Sequence, residues 1–340
     1  MCAVKHLFLP TVLGIAIVTS FAACSSTNSS STSPAGDAGG TSNPPDDGDA
    51  STTPGTEGGT TGGPDIPPPT ACPTAKYKTL VVVGDSISDV GGSGGTTAQA
   101  PFYRTLLVKN DDTKYPEWKG FDLATCWGLD AASDVVKVSR GGAVATVPSP
   151  NPGTDQGVLL NQITSLPATL PGPVLVVGTI GGNDEQDGLI SELTGTPAQV
   201  KAKQDAFVAG YGAALTELTK ADRFGAGVKV DVLMTNIYDP SGGSGHFYYE
   251  PTMSTCSGAL GYWPDNKETK TALDPWNSAM AAESAKHPGV KLLELAAPFV
   301  PHAVSTPAAT NWFFEDCIHP SALGHNAVRG VFFAGMVALQ

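Results

Sequence analysis

Five short apolar runs punctuate the chain, at residues 80–83, 135–138, 174–177, 228–233 and 290–293. Each is rich in valine, lacks strict alternation and is bounded by Gly, Pro, Asn or Asp. Parallel strands covered on both faces read this way. Between the runs the periodicity becomes helical. Over residues 197–222, Phe207, Tyr211, Leu215 and Leu218 recur at spacings of 4, 4 and 3 and make one apolar face. A last helix is expected from Pro320 through Val328, Phe332 and Val337. Strands alternating with helices predict an α/β fold, a three-layer α/β/α doubly wound sandwich around a five-stranded parallel sheet. Ligands of such sheets sit beyond the carboxyl ends of the strands, so any chemistry should follow these runs directly.

The N-terminal part follows a different pattern. Lys5 precedes an apolar run over residues 7–18 that is too short to span a bilayer as a stable helix. The run closes on Phe21-Ala22-Ala23-Cys24, which resembles a bacterial lipobox with Phe21 in the place usually held by Leu. Residues 1–23 are therefore expected to be a lipoprotein signal peptide, and Cys24 the lipidated mature N-terminus. A plain secretory signal cleaved near Ala23 is the alternative. Both export the chain; the first anchors it in the bacterial cell envelope, with the outer membrane favoured because Ser25 rather than Asp follows Cys24. Acyl chains contribute about 0.8 kcal/mol per buried methylene, and two or three of them suffice for stable anchoring.

Residues 24–71 are expected to be a disordered tether. From residue 25 on, 41 of 47 residues are Ser, Thr, Asn, Pro, Gly or Asp, and Ile66 is the one large aliphatic, so nothing offsets the entropy of ordering. That leaves residues 72–340 as one folded domain, long enough to bury a single stable core.

The chain carries a net charge of −13, and removing Lys5 and the six tether acids leaves −8 on the folded part. Such a chain cannot neutralise phosphates, which argues against nucleic acid as a partner. Of six cysteines, Cys2 leaves with the signal and Cys24 takes the lipid. Cys72, Cys126, Cys256 and Cys317 remain, an even number that in an oxidising compartment reads as two disulfides. Three connectivities are open, and the sequence does not choose among them; Cys72–Cys126 with Cys256–Cys317 is the pairing preferred. There is no CxxC pair and no HExxH, so no metal site is expected.

Four blocks stand at the ends of the runs or near the C-terminus. Gly84-Asp85-Ser86 follows the first run and would put a hydroxyl in the crevice, although an ordinary strand-end turn reads the same way. Ser139-Arg140-Gly141-Gly142 follows the second, where glycine lets the backbone approach a ligand and point an N–H at it. Gly181-Gly182-Asn183-Asp184 follows the third and offers a side-chain amide, or a tight Asn-Asp turn. Asp316-Cys317-Ile318-His319-Pro320 sets a carboxylate three residues before an imidazole, which can bind Nδ1 and leave Nε2 as a base. His246, His287, His302 and His325 have no such carboxylate and read as loop or surface residues.

In this order the blocks resemble those of the SGNH/GDSL hydrolases, whose four letters are matched by Ser86, Gly141, Asn183 and His319. Gly-Asp-Ser, Gly-x-Asn-Asp and Asp-x-x-His-Pro are the specific blocks, and the resemblance covers the folded part. It implies a flavodoxin-like sandwich and a serine esterase or lipase with Ser86 as nucleophile, His319 as base and Asp316 orienting it. It also implies an oxyanion hole of the Ser86 N–H, the Gly141 N–H and the Asn183 amide, with no cofactor. Ser139 stands where the family commonly has Asn, so Gly142 remains an alternative to Gly141. Ile87 replaces the Leu of the GDSL motif.

The substrate implied is a small-molecule, lipid or polysaccharide ester. A carbohydrate or peptidoglycan O-acetylesterase and a lipase or lysophospholipase are alternatives, and an inactive surface-binding lipoprotein is the non-enzymatic one. A Gly- and aromatic-rich stretch after Asp239, with His246, Phe247, Tyr248, Tyr249, Tyr262 and Trp263, either lines the crevice or is a structural loop held by Cys256.

Overall fold

A computed structural model of the chain describes residues 66–89, 101–147, 157–256, 263–264 and 267–339. The signal, Cys24, most of the tether and Tyr262 lie outside the described residues. The five apolar runs become β1 (Thr79–Gly84), β2 (Val135–Lys137), β3 (Val174–Thr179), β4 (Val230–Thr235) and β7 (Val290–Leu293). They pair in the order β2-β1-β3-β4-β7, every pair parallel. A short antiparallel pair, β5 (Tyr248–Tyr249) and β6 (Ser254–Thr255), stands apart.

The absence of polar alternation in the strands has a direct cause, because each strand feeds two cores. Leu80 and Val82 of β1 and Leu175 and Val177 of β3 point into one cluster, which also holds Phe332 of α8 (Ala322–Val337) and Tyr103 of α1 (Tyr103–Val108). Val81, Val83, Val174 and Val176 point into the other, against α3 (Leu159–Thr164), α5 (Pro197–Leu218) and α6 (Lys270–Ser284). The four α5 residues picked out by periodicity, Phe207, Tyr211, Leu215 and Leu218, are all buried.

Three of the boundaries that differ from expectation have a visible cause. The fourth strand starts two residues late, because Val228 closes a turn onto the Gly225 carbonyl (3.2 Å) before Val230 registers opposite Val174. The helix α5 stops at Leu218 rather than Asp222, whose backbone adopts a φ of 57°. Its start is sharp, with a Thr196/Gln199 capping box and Pro197 in the first turn. The last helix begins at Ala322, because Pro320 is held in a bridge with Phe313 and Ser321 serves as the N-cap.

Both preferred disulfides are present, with Cα separations of 5.5 Å for Cys72–Cys126 and 5.7 Å for Cys256–Cys317. The first ties the segment leading into β1 to α2 (Leu123–Trp127). The second ties the residue following β6 to the loop before α8. Because β1 has β2 on one side and β3 on the other, the strand order reverses at β1, and the crevice expected of such a sheet opens at the carboxyl ends of β1 and β3.

Candidate active site

Ser86 sits in the tight turn that leaves β1. Gly84 precedes it at φ +109°, where a Cβ would lie 1.9 Å from the Thr179 carbonyl oxygen, so only glycine lets β1 run this close to β3. Gln162 of α3 clamps the same residue from both sides: its Oε1 accepts the Gly84 N–H (2.7 Å) and its Nε2 donates to the Gly84 carbonyl (2.9 Å). Asp85 is buried beneath the turn, accepting the Ile87 N–H (3.1 Å) and the Thr179 hydroxyl (2.6 Å). Burial pushes its carboxyl up to about 6, against the lowering effect of these bonds and of His319. Ser88 joins Tyr103 and Thr179 at 2.7 and 2.9 Å, so the floor of the turn is fully bonded.

His319 arrives from the loop before α8. Its Nε2 lies 2.7 Å from Ser86 Oγ, and its Nδ1 lies 2.7 Å from Asp316 Oδ2. The other oxygen of Asp316 accepts the backbone N–H groups of Ile318 and His319, both at 2.9 Å, so the carboxylate shapes the loop as well as orienting the ring. Cys317, between them, holds a φ of 65° and is disulfide-bonded to Cys256. Tyr238 fixes the loop from the other side by donating to the Ile318 carbonyl at 2.7 Å. Burial works against charge on both partners. For Asp316 it is outweighed by the bond to His319 and by that ring's charge, and the carboxyl falls below its usual range. For His319 it is outweighed by Asp316, with help from Asp85, and the imidazole rises above 6.5.

The second and third blocks converge on the same turn. The Asn183 amide donates to the Ala143 carbonyl at 2.9 Å. Asn183 and Asp184 lie in the first turn of α4 (Gly182–Thr194), not in a loop. Asp184 locks the strand of chain beyond the glycines, accepting the N–H groups of Ala145 and Thr146 (2.9 Å each) and the Thr146 hydroxyl (2.6 Å). Ser139, in the place of the usual Asn, donates its hydroxyl to the Ser88 carbonyl at 2.9 Å and so still braces the turn that carries Ser86.

The Gly141 N–H, expected to face the oxyanion, is bonded elsewhere in this structure. It donates to Asp89 Oδ2 at 2.7 Å, and Asp89 is itself paired with Lys137, so this amide is already committed. Gly142 adopts φ +75° in a turn closed by the Ala143 N–H on the Arg140 carbonyl (3.2 Å), and its own N–H has no partner among the described residues. The Ser86 N–H likewise has no partner among the described residues.

Ser86 and Asn183 form part of the wall of a small, partly open cavity of about 80 Å³. Ile180, Ile237, Tyr238, Phe247 and Leu273 give it a mostly apolar surface, and Glu185 faces into it. Among these, Phe247 alone comes from the aromatic-rich stretch. Tyr248 and Tyr249 pair with Thr255 and Ser254, so most of that stretch is structural. His302 and His325 are buried rather than loop or surface residues: His302 stacks on Trp312, and His325 packs among Phe102 and Tyr103. Sequence reasoning missed Gln162 and Glu185, because a lone polar residue within a helical pattern carries no motif. No group of three or more His, Cys, Asp or Glu able to hold a metal occurs among the described residues.

The model of the GDSL-like lipase/acylhydrolase family matches residues 80–329. The chain belongs to that family. It is therefore a hydrolase acting on ester bonds, and the matched span runs from the second residue of β1 to the middle of α8. Solved structures similar to this family member include a phospholipase A1 from Streptomyces albidoflavus NA297, 20% identical with a TM-score of 0.42, covering 76% of this chain and 97% of that one. An extracellular lipase from Streptomyces rimosus is 18% identical, TM-score 0.39, covering 76% and 99%. A carbohydrate acetylesterase from Sinorhizobium meliloti is 14% identical, TM-score 0.42, covering 77% and 100%. A search of curated proteins gives no match.

Proposed function

We propose that the protein is a serine esterase of the bacterial cell envelope, held there by a lipidated Cys24 and cleaving carboxylic esters through Ser86, His319 and Asp316. The observation that carries this reading is the unbroken line of hydrogen bonds from Ser86 Oγ through both nitrogens of His319 to Asp316 Oδ2, each 2.7 Å. The hydroxyl attacks the ester carbonyl carbon while its proton passes to His319 Nε2. Asp316 keeps the Nδ1 proton in place and stabilises the imidazolium. Collapse of the tetrahedral intermediate breaks the bond to the alcohol oxygen, which takes the proton from Nε2. Water then repeats the sequence on the acyl-enzyme and releases the acid.

Three donors suit the oxyanion: the Ser86 N–H, the Gly142 N–H, and the amide hydrogen of Asn183 left over from its bond to Ala143. Each such donor contributes about 10²–10³ in turnover. The apolar cavity beside Ser86 favours an acyl chain longer than acetyl, and this supports a broad acyl-esterase over an O-acetylesterase.

Hydrolysis of p-nitrophenyl acetate, octanoate and palmitate by the purified protein, beside Ser86→Ala, tests the chemistry. Turnover on octanoate that vanishes in the variant is the expected result; equal rates in both would refute the nucleophile. Labelling of cells with radioactive palmitate tests the anchor: the protein should carry label, and Cys24→Ser should not.

A further inference from the structure

The cavity beside Ser86 has a polar residue that neither fold nor mechanism uses. Glu185, on the first turn of α4, donates its backbone N–H to the Gly181 carbonyl (2.8 Å), but its carboxyl has no hydrogen-bond or ion-pair partner among the described residues. Part of its surface is open to the cavity, and protein surrounds it on its other sides. A half-buried carboxyl left unpartnered costs stability, and a purely structural wall position here would be served better by an apolar residue like neighbouring Ile180.

The state of this carboxyl follows from what faces it. Asp239, also on the cavity wall, accepts the Ser241 N–H (2.8 Å), the Ser241 hydroxyl (2.7 Å), the Gly243 N–H (3.0 Å) and the Thr269 hydroxyl. Burial, followed by the charge of Asp239, pushes the Glu185 carboxyl up to about 8. At neutral pH it is mostly a neutral acid, able both to donate and to accept.

The cavity also has a direction. Ser86 and Asn183 belong to its wall and His319 does not. The leaving alcohol must lie beside His319 Nε2 to be protonated, so the acyl portion is what enters the cavity.

We propose that Glu185 is a specificity-determining residue that hydrogen-bonds an oxygen substituent on the acyl chain, so that hydroxyacyl and alkoxyacyl esters are preferred over plain alkyl esters of the same length. The inference rests on Ser86 being the nucleophile. Apolar walls hold the carbon chain, and Glu185 supplies a polar contact that a plain chain leaves unmet. Sites that hydrogen-bond a substrate oxygen discriminate against the analogue lacking it, because the site's own polar group is then left unpaired.

The test compares kcat/KM for p-nitrophenyl butyrate and heptanoate with the 3-hydroxybutyrate, methoxyacetate and (2-methoxyethoxy)acetate esters, in wild type, Glu185→Leu and Glu185→Gln. Differences in intrinsic ester reactivity cancel when the oxygenated-to-alkyl ratio is compared between proteins. Glu185→Leu should lower that ratio by about tenfold for at least one matched pair, mainly by raising activity on the alkyl ester. Glu185→Gln, which keeps a neutral donor and acceptor of the same shape, should stay within about threefold of wild type. A ratio unchanged in Glu185→Leu would overturn the proposal, as would a Gln variant that loses the preference as fully as the Leu one. Ser86→Ala separates the two readings. If it is inert while the Glu185 ratio is unchanged, this inference alone falls; if it remains active, both fall.

Discussion

The Gly141 amide donates to Asp89 at 2.7 Å, and the bond holds the loop after β2 against the turn that carries Ser86. Asp89 also pairs with Lys137, the last residue of β2. Asp89 thereby helps set the distance between Ser86 and the loop bearing Gly142. If Gly142 is an oxyanion donor as proposed, Asp89→Ala should lower kcat by about 10–100-fold with KM nearly unchanged, since misplacing such a donor weakens the transition state more than the ground state. Steady-state kinetics on an octanoate ester checks this. A loss of thermal stability with kcat intact would contradict it.

Asn183→Ala should be more severe in kcat, by about 10²–10³, because it removes a donor outright. Its bond to the Ala143 carbonyl predicts a structural component as well. Asn183→Asp, which cannot donate, should share the kinetic loss, and the comparison of melting temperatures with kcat separates the two effects.

In the proposed mechanism His319 acts as a base only when neutral, and Asp316 and Asp85 raise it above 6.5. The acid limb of kcat/KM should therefore lie above pH 6.5 in the free enzyme. Asp316→Asn removes the charge and should move that limb down while lowering kcat. A limb that does not move would show that Asp316 exerts no charge effect on the ring.

His325 imposes a separate pH dependence on stability. It is buried, its Nδ1 has no partner, and burial together with the charge of His319 lowers it to about 3. The sign follows from linkage. Between pH 6.5 and 3 the unfolded chain binds a proton that the folded chain does not, so this histidine destabilises the fold as pH drops below 6.5. His325→Leu should flatten the fall in melting temperature between pH 6 and 4, as read by calorimetry at closely spaced pH values.

The disulfide between Cys256 and Cys317 joins the loop of Asp316 and His319 to the residue following β6. Replacing both cysteines by serine should cost about 2–4 kcal/mol and lower the melting temperature by roughly 5–10 °C. Because Cys317 lies between the carboxylate and the imidazole, kcat should fall too, and the melting temperature of the variant should no longer respond to reductant at this site.

Much of the fold was legible because β1 and β3 feed two cores at once, which leaves valine-rich runs that no surface strand would carry. The hydroxyl, imidazole and carboxylate were legible because Gly84-Asp85-Ser86 and Asp316-x-x-His319 are local patterns whose chemistry depends on spacing within one turn. The choice between Gly141 and Gly142 was not, since it depends on Asp89 reaching across 52 residues to claim one amide. Glu185 was hidden for a related reason: its meaning lies in the cavity it faces and in Asp239, and neither is adjacent to it in the chain.

The most direct test of the central claim is to trap the nucleophile. Incubating the protein with a fluorophosphonate and mapping the adduct by peptide mass spectrometry should give a single modified residue, Ser86, with modification abolished in Ser86→Ala and slowed in His319→Ala. Modification at another residue, or none at Ser86 in protein that still hydrolyses esters, would contradict the assignment.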